Sequence, residues 1–166
     1  MRIAGIEPES AVDGPGLRFA LFMQGCERKC AGCHNPETWD RLGGTETDVP
    51  TILKLIDDEI GLISGVTISG GEPLLQPSAV AQILVACKER GLHTALFTGF
   101  KYEEIPDAPD IQTILKNLDL LVDGEFILSQ RSEDLLFRGS RNQRLIDVQK
   151  TLENGKVVIW NGGFTR

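Results

Sequence analysis

The sequence from residue 17 to residue 35 reads LRFALFMQGCERKCAGCHN. Residues 17–24 are rich in apolar and aromatic side chains and are followed by Gly25, which predicts a β-strand. The residues after it place three of the four cysteines of the chain within eight positions. The loop of residues 25–35, called the cysteine loop below, is therefore the first candidate for a functional site.

Strands and helices alternate along the rest of the chain. Short apolar runs ended by glycine or polar residues predict strands, and apolar residues at helical spacing predict helices. The later strands are predicted at 65–69, 92–97 and 119–122, with weaker candidates at 144–148 and 156–160, and the helices at 48–60, 78–90 and 110–117. This order is typical of right-handed crossovers in a mostly parallel α/β sheet.

Glycine and polar residues follow the carboxyl ends of four predicted strands. These turns are Gly25 with the cysteine loop, Gly70 to Pro73, Thr98-Gly99, and Asp123-Gly124. In parallel sheets ligands bind at this edge, so the four turns indicate one shared site. The length of 166 residues suits a single domain covering residues 1–166.

Composition argues against several classes of protein. A net charge of -7 argues against a general nucleic-acid binder, whose affinity rests on a basic surface. No apolar run approaches the roughly 20 residues that span a bilayer, and no signal peptide begins the chain, so we expect a cytoplasmic protein without membrane contact. One local basic stretch, residues 138–144, carries three arginines and is read either as a solvated turn or as a specific site.

The four cysteines divide into two kinds. Cys87 shares one face of a predicted helix with Val80, Ile83 and Leu84, so we expect a buried core position. Cys26, Cys30 and Cys33 must then be explained without a fourth thiol. The cytoplasmic expectation and the odd number disfavour a disulfide.

Two inorganic centres remain for the three thiols. Structural zinc usually takes four protein ligands in two separated pairs, and no second pair is present. His34 directly follows Cys33, and adjacent residues rarely bind the same small ion. A 4Fe-4S cluster held by three cysteines has one open iron, which can bind a substrate or cofactor. Arg28 and Lys29 can offset the negative charge of such a cluster, although a solvated loop can also carry them.

Two motifs together resemble a known family. Cys26-x-x-x-Cys30-x-x-Cys33, followed one strand later by Gly70-Gly71-Glu72-Pro73, is similar to the pattern of the radical S-adenosylmethionine enzymes. The resemblance implies a 4Fe-4S cluster whose open iron binds S-adenosylmethionine and supplies an electron for its cleavage to a 5'-deoxyadenosyl radical. A full barrel of eight strand–helix units takes about 250 residues, so the resemblance implies a partial, open β/α barrel.

Further stretches resemble one branch of this family, the enzymes that activate glycyl-radical proteins. They are Asp13-Gly-Pro-Gly-Leu-Arg18 and Cys33-His-Asn-Pro-Glu-Thr-Trp39. Within the branch, Gly32 and Phe137 to Arg144 resemble activators of anaerobic ribonucleoside-triphosphate reductase more than activators of pyruvate formate-lyase. The implied partners are that glycyl-radical enzyme and a flavodoxin or ferredoxin as reductant.

The resemblance also implies roles for individual residues. Cys26, Cys30 and Cys33 would bind the cluster and carry catalysis, while residues of the cysteine loop and of three other turns would bind S-adenosylmethionine. The implied cofactor contacts are Gly32, Cys33, His34, Gly70, Gly71, Glu72, Thr98 and Asp123. Asp-Gly is also a common turn, and His93 inside a predicted strand is read as structural.

Three alternatives stay open at this stage. One is the activation of a different glycyl-radical enzyme, such as pyruvate formate-lyase, or another radical S-adenosylmethionine modification. The others belong to non-catalytic classes, namely a zinc-binding module or an iron-sulfur electron carrier. A carrier normally keeps its cluster fully ligated, which three cysteines cannot do.

Overall fold

The computed structural model describes residues 1–162, whose centre is a seven-stranded sheet. The strands are β1 (Arg2–Ser10), β2 (Arg18–Met23), β3 (Thr45–Glu46), β4 (Gly65–Gly70), β5 (His93–Phe97), β6 (Leu120–Asp123) and β7 (Arg144–Asp147). Their order across the sheet is β3-β1-β2-β4-β5-β6-β7. The central strands β2, β4, β5 and β6 are parallel, while β1 and β7 run antiparallel to their neighbours. The predicted mostly parallel, open α/β architecture is confirmed.

Three helices lie in the connections between the parallel strands, and a fourth follows β7. They are α1 (Val49–Asp58), α2 (Pro77–Glu89), α3 (Pro109–Lys116) and α4 (Val148–Asn154). The predicted cap of α1 is present, because the Asp48 carboxylate accepts a 2.8 Å hydrogen bond from the Thr51 amide. Each of α1 to α3 also has a proline in its first turn, where no backbone hydrogen bond is lost. The three predicted helices are confirmed to within two residues at each end.

The two faces of the sheet are covered differently. On one face, strand residues such as Ile68, Leu96 and Leu121 pack with the helices into the main core, which also buries Cys87 as predicted. Alternate strand residues on the other face form a smaller cluster of Ala95, Leu120, Val122 and Leu145. Within residues 1–162, the partly buried apolar side chains that pack against that cluster are those of Phe97, Phe137 and Trp160. The inner face of the partial barrel therefore stays open.

A buried arginine fixes the edge of the sheet opposite the carboxyl ends. Arg18 is fully buried at the start of β2 and donates to the carbonyls of Val66, Pro15 and His93. Burial lowers its pKa to about 10, and burial together with the Arg18 charge lowers the pKa of His93 to about 4. His93 lies 3.2 Å from Arg18 through Nδ1, which agrees with the structural role expected for it.

Some elements differ from the sequence prediction. The candidate strand at 156–160 is wrong, since the segment forms only an isolated bridge from Ile159 to Ile146. The candidate at 144–148 is confirmed as β7 but ends at Asp147, where the Asp147 side chain caps α4 through the Lys150 amide. Strands β1 and β3 and helix α4 were not predicted. The sequence also predicts a mobile tail at residues 161–166, of which residues 163–166 lie outside the described residues.

Candidate active site

A cavity of about 510 Å³ opens at the carboxyl ends of the parallel strands. All four predicted turns contribute to its wall, so the expectation that they share one site is confirmed. Eight of the ten predicted site residues line it, namely Cys26, Cys30, Cys33, His34, Gly70, Gly71, Glu72 and Thr98. Gly32 and Asp123 are not in the wall.

The cysteine loop is closed at its base by backbone hydrogen bonds. The Gly25 amide donates to Thr38 at 2.7 Å, and the Cys26 amide donates to Trp39 at 3.2 Å. Inside the loop, the Cys33 amide donates to the Cys30 carbonyl at 3.1 Å. These bonds fold residues 25–39 back on themselves, so that all three thiols reach one cavity.

The surroundings of the Cys30 thiol disfavour its charged form. Partial burial raises the pKa of the Cys30 thiol, and the nearby Glu125 carboxylate and the other two thiols act in the same direction. A hydrogen bond from the Phe126 backbone opposes them. The Asn35 amide lies 3.4 Å from the Cys33 sulfur as a donor. The Cys30 thiolate therefore forms more readily when a positively charged iron centre binds it.

The arrangement fits an iron-sulfur cluster better than a single metal ion. Among residues 1–162, no three histidine, cysteine or acidic side chains are grouped closely enough to hold one ion. Zinc needs its ligands about 2.0–2.3 Å from a common point. A cubane cluster binds each thiolate at a different iron, so thiols spread around one cavity suit it. The donor set Cys26, Cys30 and Cys33 thus fits a 4Fe-4S cluster with one open iron.

The turn after β4 packs directly against the start of the cysteine loop. The Glu72 amide donates to the Gly25 carbonyl at 2.8 Å, and the Gly71 amide donates to the Met23 carbonyl at 2.8 Å. A Cβ atom at position 71 would overlap the Gly25 carbonyl oxygen. Glycine is required here by the close approach of two backbones, one of which carries the first cysteine.

Glu72 is buried at 2% exposure and joins the turn after β4 to the turn after β5. Its Oε1 accepts from the Thr98 hydroxyl at 2.8 Å and the Leu74 amide at 3.1 Å, and its Oε2 accepts from the Gly99 amide at 2.9 Å. Burial raises the pKa of Glu72, while these bonds and the Arg28 charge oppose the rise. Both carboxylate oxygens are therefore already engaged inside the protein.

Arg28 projects from the cysteine loop into the same cavity. Its guanidinium carbon lies 4.3 Å from the ring centroid of Phe100. Its Nε lies 3.9 Å from Glu72 Oε2, and its Nη1 lies 4.0 Å from Glu125 Oε2. Arg28 therefore places a positive charge beside the turns after β4 and β5, in the cavity that the three cysteines also line.

The remaining predicted residues lie at or behind the wall. His34 lines the cavity and contacts the Phe126 ring, with centroids 5.1 Å apart. Gly32 has a left-handed φ of 72°, and a Cβ there would lie 2.8 Å from Leu128 Cδ1. The buried Asp123 carboxylate accepts from Arg144 and from the Tyr102 amide, so Gly124 lines the cavity in its place. The cofactor contacts expected of all eight residues stay predictions, including those of the residues that line the cavity.

Several lining residues were not predicted as site residues. Glu125 and Phe126 follow the Asp-Gly turn, and Arg138, Gly139 and Gln143 belong to the basic stretch. In the basic stretch, Arg141 is exposed, as expected of a solvated turn. Arg144 instead pairs with Asp123, and Ser140 is fully buried. The sequence signal that could have identified these lining residues is their position next to the end of a predicted strand.

Comparison with known proteins agrees with this geometry. Residues 12–146 match the family described as the 4Fe-4S single cluster domain. Because the match covers most of the chain, the chain belongs to that family. The family confirms the predicted 4Fe-4S cluster, and the two cysteine and glycine motifs make this a domain of the radical S-adenosylmethionine type.

Three similar curated proteins are activating enzymes of pyruvate formate-lyase. The chain is 40% identical to the pyruvate formate-lyase-activating enzyme of Clostridium pasteurianum, over 96% of this chain and 66% of the relative. It is 43% identical to that of Listeria monocytogenes, over 96% and 66%, and 37% identical to the pyruvate formate-lyase 1-activating enzyme of Escherichia coli K12, over 96% and 65%. The chain spans just under two thirds of the length of these relatives.

A solved structure supports the fold. The crystal structure of QueE from Escherichia coli superposes with a TM-score of 0.50 at 15% identity, covering 74% of this chain and 69% of that one. At this identity the likeness concerns the fold alone. Within residues 1–162, the helices are all too short or too polar to cross a bilayer.

Proposed function

We propose that the chain is a radical S-adenosylmethionine enzyme that installs a glycyl radical on a partner protein of the pyruvate formate-lyase type. The observation that carries the proposal is the cavity itself, in which three cysteines with an iron-sulfur donor pattern face the turns after β4 and β5. The homologous activating enzymes support the same reaction class. We treat residues 1–166 as one catalytic domain.

The cofactor supplies the electron chemistry. When bound, a reduced 4Fe-4S cluster would supply the electron for cleavage of the C5'–S bond of S-adenosylmethionine to methionine and a 5'-deoxyadenosyl radical, and transfer of a hydrogen atom from a glycine Cα to that radical would give 5'-deoxyadenosine and the glycyl radical. Cys26, Cys30 and Cys33 would hold the cluster through their thiolates. The backbone at Gly70 and Gly71, exposed in the cavity wall, would bind the cofactor, with His34 beside it. A flavodoxin or ferredoxin would provide the electron.

Binding and orientation then fall to the chain itself. Glu72 holds the turns after β4 and β5 together through Thr98 and Gly99, which keeps the cofactor-binding wall in one shape. The inner face of the sheet is open, so a glycine-bearing loop of the partner can enter the cavity and exclude water from it. An open site completed by a partner fits an enzyme whose substrate is another protein.

A second partner has its own support. Phe137, Arg138, Gly139 and Gln143, all from the stretch that resembles activators of anaerobic ribonucleoside-triphosphate reductase, line the cavity. The similar activating enzymes nevertheless favour pyruvate formate-lyase as the partner, which is an alternative named in the sequence analysis. The reductase is therefore the second candidate partner.

The cofactor part of the proposal is tested by reconstituting the chain anaerobically with iron and sulfide. Electron paramagnetic resonance of the reduced protein is recorded with and without S-adenosylmethionine. We expect a reduced-cluster signal that changes on addition of the cofactor, is lost in Cys30→Ala, and is retained in the control Cys87→Ala. A cluster signal indifferent to S-adenosylmethionine would overturn the proposal.

The partner part is tested by adding candidate proteins to the same preparation. Purified pyruvate formate-lyase and anaerobic ribonucleoside-triphosphate reductase are supplied separately with S-adenosylmethionine and a low-potential reductant. A glycyl-radical signal on the lyase, with 5'-deoxyadenosine formed in step, supports the first candidate. A radical on the reductase alone assigns the second, and cofactor cleavage without a radical on either protein contradicts both.

A further inference from the structure

The side chain of Arg28 is held inside the cavity by contacts with a second element. It stacks on Phe100, which follows β5, at 4.3 Å from guanidinium carbon to ring centroid. A Cβ atom at position 99 would overlap the Arg28 side chain, so Gly99 leaves the space that the side chain fills. The cysteine loop and the turn after β5 therefore meet through this arginine.

Among the described residues, no direct hydrogen bond neutralises the positive charge of Arg28. Its Nε is buried and has no hydrogen-bond partner among the described residues. The nearest carboxylates, those of Glu72 and Glu125, lie 3.9 and 4.0 Å away, at the limit of an ion pair. The Glu72 carboxylate already accepts hydrogen bonds from Thr98, Leu74 and Gly99. Arg28 therefore interacts with this carboxylate through charge at a distance of 3.9 Å rather than through a hydrogen bond.

The other cation of the cysteine loop points elsewhere. Lys29 is exposed and is not part of the cavity wall, although it is adjacent to both Arg28 and Cys30. Arg138 does line the cavity but donates to the carbonyls of Leu136 and Gln143 in its own loop. The loop thus carries two positive charges next to each other in sequence, of which only Arg28 lines the cavity that Cys26, Cys30 and Cys33 also line.

The cavity collects negative charge, so the position of Arg28 inside it matters for the cluster. Three thiolates and the Glu72 and Glu125 carboxylates bring negative charge to one partly buried volume, where charges interact more strongly than in water. One-electron reduction of a 4Fe-4S cluster adds a further negative charge there. Hydrogen bonding, charge and solvent exposure near the thiolates set the reduction potential of such clusters.

We propose that Arg28 raises the reduction potential of the cluster by stabilising its reduced form, and that Lys29 does not. The electron itself comes from an external one-electron donor, a flavodoxin or ferredoxin in the proposed function and dithionite in the test. The inference rests on the cluster of the proposed function and is independent of the partner protein.

The test is a redox titration of the reconstituted cluster, followed by electron paramagnetic resonance at poised potentials. Arg28→Gln and Lys29→Gln remove the same charge from neighbouring positions, which makes the second variant a matched control. We expect a more negative midpoint potential in Arg28→Gln and an unchanged one in Lys29→Gln. Arg28→Lys, which keeps the charge, should remain closer to the wild-type potential than Arg28→Gln.

A further variant, which removes a negative charge instead of a positive one, tests the inference if Arg28→Gln does not retain its cluster. Glu125→Gln removes the exposed carboxylate beside Arg28 Nη1 and should move the midpoint potential upward. Equal shifts in Arg28→Gln and Lys29→Gln, or no shift in Arg28→Gln or Glu125→Gln, would overturn the inference. Failure of the wild-type chain to form any cluster would instead remove the proposed function.

Discussion

At the level of single residues, the motif glutamate has a role that its sequence position did not reveal. The family resemblance implies that Glu72 contacts the cofactor, and in the structure its carboxylate accepts three hydrogen bonds from two turns of the protein. Spacing along the chain could place Glu72 at the site. It could not show that Thr98, another predicted contact, would take up one of its oxygens.

The Glu72 contacts lead to a stability prediction. Glu72→Gln keeps the shape of the side chain but turns one accepting oxygen into a donor facing N–H or O–H donors. We expect a loss of about 2–3 kcal/mol in the free energy of unfolding, as for a buried hydrogen bond to a charged group left unmade. Urea titration under anaerobic conditions measures it. The exposed Glu153→Gln serves as control, and equal stability of both variants would contradict the role assigned to Glu72.

At the level of elements, the site depends on the contact between the turn after β4 and the start of the cysteine loop. The turn after β4 and the start of the cysteine loop share backbone hydrogen bonds at Gly25 and Met23, so neither can move without the other. Strand pairing explains the contact, because β2 and β4 are adjacent and parallel with Met23 opposite Gly70. Their carboxyl ends therefore reach the same place.

The contact of the two turns can be tested by adding one methyl group. Gly71→Ala places a Cβ against the Gly25 carbonyl, where backbone cannot yield without shifting the cysteine loop. We expect destabilisation of about 1–3 kcal/mol and a lower iron content per chain after reconstitution. Gly5→Ala in β1 is the matched control, because its Cβ would meet no atom within 4 Å. Full cluster loading of Gly71→Ala would argue against this coupling.

The elements also show where sequence reasoning succeeds and where it stops. Strands β2, β4, β5 and β6 were predictable because buried parallel strands read as apolar runs ended by glycine or polar residues. Strand β1 contains Gly5 and Pro8 and buries only Ile3 and Ser10, so its pattern is weak. The segment 156–160 has a strand-like composition but makes a single bridge to β7. Pairing of this kind is decided by tertiary contacts rather than by local preference.

At the level of the whole molecule, the two faces of the sheet differ in how firmly they are covered. The helix-covered face contains the main core, whereas the cavity face is bordered by the segment of residues 124–143. That segment is held by short turns and by side-chain bonds such as Ile127 to Ser140, and it exposes Leu128 and Leu136. Cooperative stability is therefore concentrated in the sheet and its helices, and the cavity wall opens at lower cost.

This difference should be visible in amide hydrogen exchange. Residues 125–139 should exchange far faster than the central strands, because few of their amides lie in the sheet and little apolar surface is buried on them. In reconstituted protein, S-adenosylmethionine should slow exchange in both residues 26–35 and residues 124–139, since both segments line the cavity that would hold it. Mass spectrometry after deuterium labelling measures this, with β3 at the far edge of the sheet as the internal control. Uniform slowing across the chain, β3 included, would mean that the cofactor stabilises the fold as a whole instead of closing the cavity wall.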